Sequence, residues 1–133
     1  MKNSNNWFLF AEEDLIVAQA SLEKEIYNLA CFHAQQGVEK LLKGFLISQR
    51  HEIPKTHSIG LLLKVCSNLD ATFKLLDKTW IMLDNYYIPT RYPDALPGML
   101  PDGMPNKDDA KKAITILEEV FKFILNKIPS TKT

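Results

Sequence analysis

The sequence predicts an all-α protein: an up-and-down bundle of four or five helices in a single domain. Three observations lead there. Apolar residues recur at steps of three and four over nearly the whole chain, the spacing that puts side chains on one face of a helix. No stretch of useful length alternates with the period of two that a strand requires. Five of the seven prolines fall between Pro89 and Pro105, so helix-breaking residues are gathered in one loop rather than spread through the chain.

The first stripe is Phe8, Ala11, Leu15, Ala18 and Leu22, which predicts a helix over about 6–25. The second is Tyr27, Cys31, Ala34, Val38, Leu41 and Phe45, widened by Leu42 and Leu46, over 27–49. Gly37 and Gly44 lie inside it, each costing about 1 kcal/mol relative to alanine, so a closely packed neighbour is expected at both. Thr56 or Ser58 caps a short third helix, 57–68, carrying Ile59, Leu62, Leu63 and Cys66. A fourth stripe, Leu69, Phe73, Leu76, Trp80, Leu83 and Tyr87, predicts a helix over 70–87 that ends at Pro89. The last helix, 107–127, carries Ala110, Ala113, Leu117, Val120 and Ile124. Asn106 suits its N-cap, and Asp108 and Asp109 suit its positive end.

A chain of 133 residues is one domain's worth and buries enough surface to need no disulfide or metal staple. Sixteen basic and sixteen acidic residues cancel, which argues against a broad duplex-DNA surface while leaving room for a local phosphate site. No apolar run is long enough to span a membrane, and no signal-peptide pattern opens the chain. Cys31 and Cys66 read as buried thiols in a reducing cytoplasm. No cofactor motif is present: there is no phosphate-binding glycine loop, no nucleophile elbow and no His/Cys metal spacing.

Arg91 is the first candidate for chemistry. It stands between aromatic rings in Tyr86-Tyr87-Ile88-Pro89-Thr90-Arg91-Tyr92-Pro93-Asp94, and a guanidinium suits phosphate by paired hydrogen bonds. Tyr92 would stack or shape such a site and Asp94 would orient the arginine; alternatively Arg91 and Asp94 only pin a proline-rich turn. Gln36, Glu39, Lys40 and Lys43 share a polar side of the second helix, either lining a cleft or forming a solvated face held by a Glu39–Lys43 pair. Among the histidines, His57 sits where the third helix begins, as a cap or as a general base. Leu96, Met99, Leu100 and Met104 in the proline-rich loop either cover the bundle or meet a partner.

Four segments in this order resemble the HEPN (higher eukaryotes and prokaryotes nucleotide-binding) family. They are Ala11-Glu12-Glu13-Asp14-Leu15 with Ala18, Gln35 through Lys43, Pro54-Lys55-Thr56-His57-Ser58, and the segment Tyr86 to Asp94. The resemblance implies a helical bundle, a homodimer, and a minimal nucleotidyltransferase as partner in a toxin–antitoxin pair. It implies a nucleotide or RNA ligand, with Arg91 as main phosphate contact, Tyr92 and Asp94 beside it, and Lys43 and Lys40 as secondary charges. Many members are metal-independent RNases that place a histidine four to six residues beyond an arginine. Here those positions hold Leu96, Pro97 and Gly98, and no histidine follows Arg91. The departure favours a non-catalytic, ligand-binding member. Arg50 and His57 have the family spacing but span a helix end, and they form the alternative catalytic pair. A pure protein-interaction module is the remaining alternative.

Overall fold

The computed structural model describes residues 4–75, 78–86 and 104–128. These form α1 (Ser4–Glu23), α2 (Tyr27–Ser48), α3 (Ile59–Leu69), two 3-10 helices (Ala71–Leu75 and Lys78–Tyr86) and α4 (Lys107–Lys127). No strand occurs among the described residues. The all-α bundle read from the periodicity is therefore the observed fold class, with α2 at its centre, packed against α1, α3, α4 and the second 3-10 helix.

α2 is central because its sequence is apolar around most of its circumference, the pattern of a buried helix. Ala34, Val38, Leu41, Leu42, Phe45 and Leu46 are all buried. Its glycines have the expected purpose. A Cβ on Gly37 would lie 2.8 Å from a methyl of Leu117 on α4, and one on Gly44 would lie 2.5 Å from the Phe8 ring on α1. Both glycines let a neighbouring helix approach more closely than alanine would allow.

α1 and α2 end alike. The Ile26 amide reaches the Ser21 carbonyl and the Glu25 amide reaches Leu22; His51 reaches Leu46 and Arg50 reaches Ile47. This is the Schellman arrangement, which places one residue in the left-handed region, usually glycine. Here Glu25 (φ 64°) and Arg50 (φ 58°) occupy those places. Glu25→Gly is therefore expected to raise stability by about 1 kcal/mol in chemical denaturation, the steric cost of a Cβ in that conformation.

Within the stretch expected as one α-helix over 70–87, the described residues form two 3-10 helices instead. Asp70 starts the first. Its carboxylate accepts from the Thr72 amide (2.9 Å) and hydroxyl (2.6 Å), and the Phe73 amide bonds back to the Asp70 carbonyl. Those Thr72 bonds, with Lys127 nearby, hold the Asp70 carboxyl below its usual range. Trp80, Leu83 and Tyr86 are buried in the second. Their spacing of three is the 3-10 repeat, which stacks residues i and i+3 on one side. Leu69, expected in the fourth stripe, lies at the end of α3 and is exposed. Phe45, Phe73, Phe123 and Trp80 form the aromatic contact that seats these segments, with successive ring centroids 4.8, 5.0 and 5.9 Å apart. α4 opens with the expected Asn106 cap, reciprocated by Asp109 in a capping box.

Candidate functional site

Two polar clusters flank α2, where the sequence suggested a single shared face. On the side toward α1, Lys40 Nζ lies 2.7 Å and His33 Nδ1 2.9 Å from the two carboxylate oxygens of Asp14. Asp14 is buried, and the cluster fastens α1 to α2. Lys40 is thereby committed to a carboxylate of its own chain.

On the side toward α3, Gln35, Glu39 and Lys43 follow one another at steps of four and are all buried. The Glu39–Lys43 pair exists, as the i,i+4 spacing predicts, at 2.7 Å. It is a buried pair, not a solvated one, with side chains 7% and 11% exposed. The same oxygen, Oε2, accepts from His57 Nδ1 at 3.0 Å. Gln35 Nε2 spans from Glu39 Oε1 (3.4 Å) to the backbone carbonyl of His57 (2.9 Å), and Gln36 donates to Gln35 Oε1 at 2.7 Å. His57 thus faces outward with about half of its side chain exposed, while its inner nitrogen rests on a carboxylate that also neutralises a buried lysine. A carboxylate only accepts, so Nδ1 carries the proton toward Glu39, and the ring's base chemistry belongs to Nε2.

The turn that carries His57 is fixed from two directions. The Ser58 hydroxyl accepts from the Leu61 amide, which makes Ser58 the cap of α3, and the Thr56 hydroxyl accepts from the Ser58 amide. Asp84 of the second 3-10 helix then receives the Ser58 hydroxyl (3.0 Å), the Ile59 amide (2.6 Å) and the Gly60 amide (3.1 Å). A carboxylate over the first amides of a helix meets both unpaired donors and the positive end of the helix dipole. Asp84 is thus what binds the second 3-10 helix to the His57 turn.

Arg91, Tyr92 and Asp94 lie outside the described residues, as does most of the proline-rich loop. Tyr86, read from the sequence as one of the rings near Arg91, is buried. Burial raises its hydroxyl pKa, with Cys31 and Asp109 adding to the effect. Cys31 and Cys66 are free and buried, as expected, and burial pushes both thiols up to about 12. Arg50 is exposed at the end of α2, and the structure ties His57 to Glu39 and Lys43 rather than displaying it on a helix with an arginine. The sequence names Glu39 and Lys43 but does not join them to His57; Gln35 and Asp14 stand out only within the segments that carry the family resemblance, and Asp84 not at all. Gln35 was legible in part: with Glu39 and Lys43 it forms a polar run at a constant step of four along the helix.

Among the described residues no group of three His, Cys, Asp or Glu side chains is placed to hold a metal ion, and no helix is long and apolar enough to cross a membrane.

No curated protein matches this sequence. Two crystal structures share its fold. An archaeal HEPN homologue is 29% identical with a TM-score of 0.71, the match covering 97% of this chain and 100% of that one. A protein from Thermus thermophilus is 32% identical with a TM-score of 0.72, covering 96% and 100%. The HEPN domain itself matches residues 4–128, which take in α1 through α4 with the Asp14, Glu39, His57 and Asp84 clusters. This chain belongs to the HEPN domain family.

Proposed function

We propose that this protein binds a nucleotide or an RNA phosphate at the His57 turn without cleaving it, with Arg91 as the principal phosphate contact. The observation that supports this most is the half-exposed His57 imidazole held by a buried Glu39–Lys43 pair. A folded protein bears the desolvation of such a pair only where hydrogen bonds compensate it, and here they also fix an imidazole at the surface. Asp84 fastens the second 3-10 helix to that turn, and Arg91 follows five residues after Tyr86, the last described residue of that helix. Tyr92 stacks on or shapes the ligand and Asp94 orients the guanidinium in this reading. Lys43 and Lys40 act as background charge, since each already meets a carboxylate. The protein works in the cytoplasm as a homodimer, partnered by a minimal nucleotidyltransferase as half of a toxin–antitoxin pair; the family supports this part.

Calorimetric titration of ATP and of a short single-stranded RNA tests the reading. Arg91→Ala is expected to weaken binding about ten- to a hundredfold, the loss of a charge-assisted contact of roughly 1.5–3 kcal/mol. Absence of binding by the wild-type protein at millimolar ligand rules the reading out.

The Glu39–His57 contact favours one second reading, metal-independent RNA cleavage with His57 as general base and Arg50 or Arg91 as the cation. Cleavage of RNA in the presence of a chelator, abolished by His57→Ala, would select it over the binding reading.

A further inference from the structure

We propose that the groove between α1 and α4 docks a basic amphipathic helix of another protein. The groove has a volume of about 470 Å³ and is lined by Phe8, Leu9 and Leu15 of α1 with Phe121 and Leu125 of α4. From Asn5 to Leu15 it follows α1 for about 15 Å, the length of a three-turn helix. Its edge is apolar as well: Leu9 is 53% exposed and Leu125 49%, and Ile16, two turns beyond Leu9 on the same side, is 60% exposed. A helix that is apolar both toward its own core and away from it has a second face to cover.

The charges choose the occupant. The ionisable side chains lining the groove are Glu12 and Glu118, and none of its lining residues is cationic. Gln19 donates to Glu118 across the end of the groove (3.4 Å), holding that carboxylate between the two helices. A second copy of this chain seated symmetrically here would set these acids against their own images, which is unfavourable. A helix with leucine-like side chains at i, i+3 and i+7 and lysines or arginines beside them meets both the apolar lining and the acidic rim.

The test titrates the full chain with a synthetic Leu/Lys amphipathic helix of about 14 residues, beside a scrambled peptide of the same composition. The amphipathic peptide is expected to bind at micromolar concentration and the scrambled one roughly tenfold or more weaker. Glu12→Lys with Glu118→Lys should weaken binding about tenfold, and Leu9→Gln with Leu125→Gln by a similar factor; all four positions are exposed, so circular dichroism should report unchanged folding. Failure of the amphipathic peptide to bind overturns the proposal, as does equal binding of the scrambled peptide or indifference to the charge reversals. Self-association of the wild-type protein that Leu9→Gln/Leu125→Gln abolishes would assign the groove to a second copy and overturn it too.

Discussion

Glu39→Ala is expected to destabilise the protein by about 3 kcal/mol, among the largest effects of any single polar substitution in this chain. The loss does not measure the worth of the ion pair. Removing Glu39 strands Lys43, a buried lysine whose amine sits 2.7 Å from the deleted carboxylate, and it releases His57 and Gln35 as well. An unpaired buried charge is costly, whereas a buried pair replaced by apolar residues of similar volume is often neutral or better. Glu39→Met combined with Lys43→Met is therefore expected to recover most of the loss while destroying the support for His57. Urea denaturation of the single and double variants reads the difference. A Glu39→Ala cost below about 1 kcal/mol would mean that the pair behaves as a solvated surface pair.

Asp84→Ala is expected to cost about 2 kcal/mol, through loss of a helix cap and of charge-assisted bonds. One carboxylate serves the Ser58 hydroxyl and the first two amides of α3, and it is the polar link between that helix and the second 3-10 segment. Asp84→Asn keeps an acceptor without the charge and should lose roughly half as much. The substitution should also reduce ligand affinity, because it loosens the segment leading to Arg91 from the turn that carries His57. Thermal denaturation and the nucleotide titration check the two effects separately. An Asp84→Ala protein with wild-type stability would show that Ser58 alone suffices as the cap of α3.

The helices that the sequence reveals most clearly are those whose stripe runs long and whose ends carry a chemical signal. α4 is the best case, since Asn106, Asp109 and the run from Ala110 to Ile124 all point the same way. The stretch 70–87 reads as α-helix because Leu69, Phe73, Leu76, Trp80, Leu83 and Tyr87 recur at steps of three and four, and over a short span a step of three, as from Trp80 to Leu83, is shared with the 3-10 helix. The signal against it is Asp70 followed by Thr72, a local side-chain turn that competes with α-helical bonding. The site is half legible. The spacing of Glu39 and Lys43 gives their pairing, but only the packing of α3 against α2 tells that the pair is buried. His57 joins it from eighteen residues away, and Asp84 meets the amides of Ile59 and Gly60 from twenty-four or more, distances at which periodicity carries no information. Arg91, Tyr92 and Asp94 rest on sequence and family resemblance alone.

If the protein acts as proposed, the His57 turn meets a phosphate-bearing ligand. The most direct measurement follows the His57 ring by NMR while ATP, and then a short single-stranded RNA, is added. His57→Ala supplies the assignment, and His33, bonded to Asp14 in the separate cluster toward α1, serves as an internal reference. A saturable shift of the His57 resonances is expected with His33 unmoved, weakened in Arg91→Ala. His57 resonances that stay fixed at millimolar ligand, or that move only together with His33, would contradict it.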